Sequence, residues 1–183
     1  MHSLGNCSTI TGLWTHGHQI AVGEVDKFRF QHLSNAITGM PYFVAVDEFE
    51  HFVYDNPNAT TLDRKQMWRK IERKYMPERD YSGNDYLENG GYWHQQPHIF
   101  NRPFYYISYA LASICALQFW KRISDDQDRA WYDYLKLCKL SGSKSFTELL
   151  TEADLISPFE MGCVESIIHD VVNWLDSVDD HSL

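Results

Sequence analysis

The residues best equipped for chemistry lie in one short stretch, His94-Gln95-Gln96-Pro97-His98-Ile99-Phe100-Asn101-Arg102-Pro103-Phe104-Tyr105-Tyr106-Ile107-Ser108-Tyr109. On a helix, Tyr105 and Tyr109 stand four residues apart and Tyr106 and Tyr109 three apart, so each pair shares a face. Two phenols on one face, beside a histidine delivered by the preceding loop, form a set of hydrogen-bond donors. Such donors can stabilise the oxyanion that develops when a carbonyl is attacked. A buried helix whose tyrosine hydroxyls find backbone partners explains the same spacing, and spacing alone does not separate the two.

Metal chemistry finds less support. His94 and His98 would make an i, i+4 ligand pair on a helix, but Pro97 between them argues against a helix there. Glu48 and His51, in Asp47-Glu48-Phe49-Glu50-His51, stand in the wrong order for a zincin, and a salt-bridged helix surface accounts for them. No His-Glu dipeptide occurs in the chain, so H-E-x-x-H is excluded. His16-Gly17-His18 lies in an irregular start and lacks acidic neighbours. There is no G-x-S-x-G elbow and no phosphate-binding glycine loop. A Cys/His nucleophile needs an exposed, electropositive cysteine, whereas Cys115 and Cys163 fall in apolar helical patterns.

The elements that must position the His-Tyr stretch are helical. Residues 1–23 hold four glycines with Ser and Thr between them, show no sustained period, and read as irregular. From Val25 a helical pattern runs to about Val53, with a kink or break expected at Pro41. Thr60-Thr61-Leu62-Asp63 caps a second helix over 61–75, ended by Pro77. Residues 77–102 are the longest irregular segment, aromatic-rich and punctuated by Gly83, Gly90 and Gly91; such loops are uncommon in a helical domain unless they do something. Pro103 opens the most hydrophobic helix, 103–122. Ser124-Asp125-Asp126-Gln127 caps a helix to about Leu140, and Ser145-Phe146-Thr147-Glu148 is a capping box for a short one. Ser157-Pro158-Phe159-Glu160 has the form of a helix start, with that last helix running to about Asp176 before an acidic tail. No strand shows convincing alternation, so the expected class is all-α.

Composition narrows the function. The 183 residues suffice for one ordinary domain with a real core. Formal net charge is −9, which opposes a nucleic-acid surface, since phosphate binding needs clustered Lys and Arg. The one basic run, Arg64 to Lys74, reads as a solvated helix face. Cys7, Cys115, Cys138 and Cys163 are widely spaced and imply neither a disulfide framework nor a zinc knuckle. No run of about 18 apolar residues is present to span a membrane, and residues 1–20 lack the regions of a signal peptide. The cytosol is the expected compartment.

Several motifs together resemble the C-terminal part of the oligoendopeptidase F family. They are Pro41-Tyr42-x-Val44-Ala45-Val46-Asp47-Glu48-Phe49, Arg79-Asp80-Tyr81, Gly90-Gly91-Tyr92-Trp93, His98-Ile99-Phe100-x-x-Pro103-Phe104-Tyr105-Tyr106-Ile107-x-Tyr109, Ala116-Leu117-Gln118-Phe119-Trp120 and Ser157-Pro158-Phe159-Glu160. The resemblance covers roughly residues 24–178, with the motifs in family order. It implies a mostly helical zinc oligopeptidase that hydrolyses short peptides inside a channel, the metal bound by H-E-x-x-H and a downstream Glu. His98, Tyr105 or Tyr106, and Tyr109 match the family residues that bind substrate and stabilise the tetrahedral intermediate. Gly90, Gly91, Tyr92, Trp93 and His94 are then the expected substrate-binding residues of the preceding loop.

The departures shape the expectation as much. The zinc helix would lie upstream of anything present, His2-Ser3-Leu4 resembles the segment after the third ligand, and residues 5–23 do not match the family. A shifted reading frame or a truncated gene with an unrelated start is expected. The chain then divides into a non-family segment (1–23), the C-terminal part of a peptidase catalytic domain (24–178) and an acidic tail (179–183). Zinc belongs to the complete enzyme, and none is expected on this chain, which should be inactive alone. Its expected partners are short peptides and the missing N-terminal part, with no nucleic acid and no membrane. The alternative is a non-catalytic helical peptide-binding or interaction module.

Overall fold

The computed structural model describes residues 22–179, with only the backbone described for the first three. The expected irregular start therefore lies almost wholly outside the described residues, as does all of the acidic tail but Asp179. Every regular element among the described residues is helical and no strand occurs among them. The fold is all-α.

Helix α1 spans Val22–Asp55 and passes through Pro41 without a break. A proline inside a helix removes one backbone hydrogen bond and crowds the carbonyl four residues earlier, costing about 3 kcal/mol. Buried Met40, Ala45, Val46 and Phe49 lie on either side of it. Each large apolar side chain buried returns about 1.5–3 kcal/mol, enough to carry the helix across. Helix α2, Thr61–Tyr75, begins at the expected capping box: Asp63 N–H donates to Thr60 Oγ1 at 3.2 Å, and Thr60 N–H to Asp63 Oδ2 at 2.9 Å. Its basic run is only partly a solvated face, because Trp68, Arg69, Ile71 and Glu72 are buried.

The segment expected to be irregular contains short helices: α3 (Asp85–Glu88), a 3-10 turn (Tyr92–Gln95) and α4 (Pro97–Asn101). Helix α5 is Ile107–Asp125, starting four residues later than Pro103 had suggested. Phe104 has φ 56, a left-handed conformation that a right-handed helix cannot contain, so the chain turns there before α5 begins. Helices α6 (Gln127–Leu140) and α7 (Phe146–Glu152) have the expected caps, Asp126 and Ser145. Helix α8, Cys163–Asp176, starts six residues after the expected cap at Ser157. The Ser157 motif instead closes a turn: Phe159 N–H donates to Ser157 Oγ at 3.3 Å and Glu160 N–H to Ser157 O at 2.9 Å. The left-handed Gly162 (φ 81) then precedes α8.

The described residues divide into two compact units, one of residues 36–110 and the other of residues 22–35 with 111–179. The core of the first holds Ala45, Val46, Phe49, Trp68, Ile71, Met76, Trp93 and Ile99. In the second, Cys115, Phe119, Leu150, Ala153 and Leu155 pack with Tyr134 and Leu137, bringing α5, α6 and α7 together. The Gln118 amide of α5 donates to Ile156 O and accepts from Ile156 N–H, both at 2.8 Å, fixing the chain after α7. Trp120 meets Trp174 edge to face, and Lys121 pairs with Asp170, which seats α8. Cys115 and Cys163 are buried as expected, while Cys138 is exposed.

Candidate active-site face

His98 stands on α4, whose first residue is Pro97; the fixed φ of proline suits a helix start. Three tyrosine rings surround its imidazole. Tyr105 lies parallel to it at 6.1 Å (interplanar angle 4°), Tyr106 tilts against it at 5.0 Å, and Tyr109 stands edge-on at 5.9 Å. The tyrosines also meet one another, Tyr105 with Tyr109 at 5.5 Å and Tyr106 with Tyr109 at 5.2 Å. The constellation expected from the sequence is thus assembled, though not on one helix. Tyr105 and Tyr106 belong to the turn after Phe104, and only Tyr109 sits within α5.

Burial keeps the Tyr106 and Tyr109 hydroxyls in their donor form. Burial raises the Tyr109 hydroxyl above its ordinary value, helped by Tyr105 through its charge and a hydrogen bond. Burial likewise raises Tyr106, with Tyr109 and Tyr92 adding to it. Each therefore keeps its proton near neutral pH and can donate to a developing negative charge.

Behind His98 lies a polar layer whose pairings the sequence did not signal. Gln96, buried at the cap of α4, places its side-chain Nε2 2.6 Å from His98 Nδ1. Tyr42 of α1 donates its hydroxyl to Gln96 Oε1 at 3.1 Å. Rings of Trp68, Tyr92 and Tyr106 surround Tyr42 edge-on at 6.1, 6.0 and 5.8 Å, and burial drives its hydroxyl well above the usual phenol range. The Arg79 guanidinium covers the Tyr42 and Tyr92 rings at 5.3 and 4.7 Å. Glu72, with no exposed surface, holds Arg79 and Arg69, each at 3.2 Å, and accepts from the Tyr81 hydroxyl at 2.7 Å. Burial and that carboxylate push Tyr81 up to about 12. The Arg79-Asp80-Tyr81 motif was visible in the sequence, but its buried carboxylate partner lay inside a run read as solvated.

The residues expected to bind substrate divide. Tyr92 stacks on Tyr81 at 5.9 Å and joins the aromatic layer behind His98. Trp93 is a core residue, 5.0 Å from Phe49, and its Nε1–H has no partner. His94 lies against Trp93 at 4.1 Å, and its Nδ1 is 2.5 Å from the Tyr86 hydroxyl. Gly90 and Gly91 are buried where the loop meets its neighbours. A Cβ on Gly90 would stand 1.9 Å from Lys65 O, and one on Gly91 2.4 Å from the Tyr86 ring. Glu48 and His51 make surface pairs: Glu48 with Lys74 at 2.7 Å and Tyr75 at 2.6 Å, His51 with Asp47 at 3.6 Å.

No group of three or more His, Cys, Asp or Glu side chains able to hold a metal occurs among the described residues. These residues therefore do not fit a zinc centre. No helix among them is long and apolar enough to cross a membrane. The assembled face can offer N–H and O–H groups to a carbonyl oxygen.

No family model and no curated protein matches the sequence. Solved structures do. An X-ray structure assigned as an oligoendopeptidase F shares 56% identity at a TM-score of 0.84, covering 86% of this chain and 28% of that one. PZ peptidase A, solved with an inhibitor, shares 61% at 0.82, covering 85% of this chain and 28% of its own. A protein from Bacillus anthracis strain Ames, also assigned as an oligoendopeptidase F, shares 47% at 0.70, with coverage of 86% and 25%. This chain thus spans 25–28% of the length of these relatives. Sequence and fold agree together across most of the described residues, and the chain belongs to the oligoendopeptidase F family.

Proposed function

We propose that the His98-Tyr105-Tyr106-Tyr109 face forms the oxyanion-binding side of a site that cleaves short peptides. The observation supporting this most directly is the convergence of three tyrosine rings on the His98 imidazole, at 5.0–6.1 Å. When a peptide carbonyl is attacked, negative charge gathers on its oxygen. Hydrogen-bond donors already in place stabilise that charge more than the neutral carbonyl, so they lower the barrier rather than merely hold substrate. Tyr109 and Tyr106 keep their protons for this task, and the layer behind them keeps the donors in place.

The zinc expected of such an enzyme would bind to residues other than those described, and no step in this reading passes through it. By itself the 183-residue chain is proposed to be inactive, because nothing among the described residues can activate water on a metal. The test is complementation. The remainder of a solved relative, produced separately, is mixed with this chain, and cleavage of a quenched fluorescent oligopeptide is followed. Chelator-sensitive turnover by the mixture and by neither part alone is expected. Turnover by the pure chain would refute its inactivity. A silent mixture, together with a silent full-length chimera carrying residues 24–179 in place of the relative's own segment, would refute the peptidase reading.

A further inference from the structure

We propose that Gln96 is a positioning residue that fixes the neutral His98 imidazole as the tautomer protonated on Nε2, and that Tyr42 dictates which end of the Gln96 amide faces the ring. The inference rests on the proposed function only for its consequence, not for its geometry.

An amide side chain is ambiguous by itself, since its oxygen and nitrogen ends have nearly the same shape. Here its two neighbours remove the ambiguity. The rings of Trp68, Tyr92 and Tyr106 pack edge-on around the half-buried Tyr42 ring. Its hydroxyl proton needs an acceptor, and among the described residues it goes to Gln96 Oε1, at 3.1 Å. Were the amide reversed, its nitrogen would face the phenol and the Tyr42 proton would lose that acceptor, at a cost of about 1 kcal/mol. With Oε1 committed to Tyr42, Nε2 must face His98, where it lies 2.6 Å from Nδ1. An amide nitrogen only donates, so Nδ1 must present its lone pair. The one proton of the neutral ring then sits on Nε2.

The chemical consequence is specific. A histidine whose Nδ1–H is held by a carboxylate or carbonyl presents a bare Nε2 and serves as a base. The amide reverses that polarity, making His98 a neutral hydrogen-bond donor through Nε2–H, the form suited to an oxyanion.

The test reads the tautomer directly in the 183-residue chain, by two-bond 1H–15N correlation of the His98 ring above its titration range, with His98→Gln assigning the signal. The parent should show the Nε2–H pattern. Gln96→Glu places an acceptor opposite Nδ1 and should convert the ring to the Nδ1–H or doubly protonated form. Tyr42→Phe keeps the ring packing but frees the amide to turn, and should give a mixture. An Nδ1–H parent, or an Nε2–H pattern unchanged in both variants, would overturn the proposal. Because no substrate is involved, a failed complementation with the tautomer as stated would refute the peptidase reading and leave this one standing.

Discussion

The backbone N–H of Phe104 donates to Glu50 Oε1 at 3.3 Å, tying a left-handed turn to a helix 54 residues earlier in the chain. A bulky residue at positive φ costs about 1–2 kcal/mol, so something must hold it. Glu50 is 1% exposed, and its second oxygen has no hydrogen-bond partner. The Phe104 ring closes over the turn against His51 and Tyr54, at 4.9 and 5.0 Å. The turn decides where Tyr105 and Tyr106 fall, so this buried carboxylate helps set the candidate site without touching it. Asp154, the other non-glycine residue at positive φ among those described, is handled alike within its own unit: the Arg122 guanidinium takes its carbonyl.

Glu50 gives the first prediction. Burial, the largest cause, raises its pKa, Asp47 adds to the rise, and the Phe104 N–H and His51 oppose it. The folded chain thus holds this proton more tightly than the unfolded one. Its stabilising effect is complete below the ordinary value of 4.5 and is lost as pH rises through the elevated folded value. Glu50→Gln keeps an acceptor for Phe104 and removes the titration. Urea midpoints measured from about pH 4 upward should fall further in the parent than in Glu50→Gln. Asp47 titrates in both and cancels. Parallel curves would show that the carboxylate is solvated.

Glu72 carries a larger stake. Removing one partner of a buried ion pair leaves the other charge uncompensated, which costs about 3–5 kcal/mol. Arg69 is 7% exposed, its Nε already lacks a partner, and without Glu72 it keeps the more exposed Glu88 carboxylate at 2.9 Å. Glu72→Ala should therefore lower unfolding stability by about 3 kcal/mol, the lower end of that range, because Glu88 still faces Arg69. It should also release Arg79 from the Tyr42 and Tyr92 rings. A loss near that of a surface pair, below about 1 kcal/mol, would mean that Glu88 or water compensates Arg69.

What the sequence revealed and what it hid follow from the range of each interaction. The caps at Thr60 and Ser145 are local reciprocal bonds three residues apart, and both formed where expected. His98, Tyr105, Tyr106 and Tyr109 lie close in the chain, so spacing and resemblance identified them together. The turn at Phe104 was missed because its positive φ is held from Glu50, and no local pattern marks that bond. The bond between Gln96 and Tyr42 was missed for the same reason: 54 residues separate them, and no local pattern joins them. At Ser157 the local signal was satisfied by a turn, and the helix waited for Gly162.

Two glycines separate backbone strain from collision. Gly83 and Gly90 have nearly equal φ, 88 and 85, so alanine pays a similar conformational cost at both, about 1–2 kcal/mol. A Cβ at Gly83 meets nothing within 4 Å, whereas at Gly90 it would stand 1.9 Å from Lys65 O. Gly90→Ala should thus destabilise the chain by several kcal/mol more than Gly83→Ala, since the loop must leave α2. Equal urea midpoints for the two variants would show that the loop moves away at little cost.

Tyr109 tests the chemistry itself. Tyr109→Phe removes one hydroxyl and keeps the ring that meets His98, Tyr105 and Tyr106. Measured in the full-length chimera, the variant should lose about 10²–10³-fold in kcat with little change in KM, because an oxyanion donor acts mainly in the transition state. A rise in KM with kcat unchanged would assign the hydroxyl to ground-state binding instead. The pH profile adds an independent reading. Tyr109 and Tyr106 are both raised above the ordinary phenol value of 10.0, and the protonated form is the donor. Any alkaline loss of activity set by these phenols should therefore begin above that value, and Tyr109→Phe should alter it. An alkaline limb below it, unchanged by the substitution, would place the controlling group elsewhere.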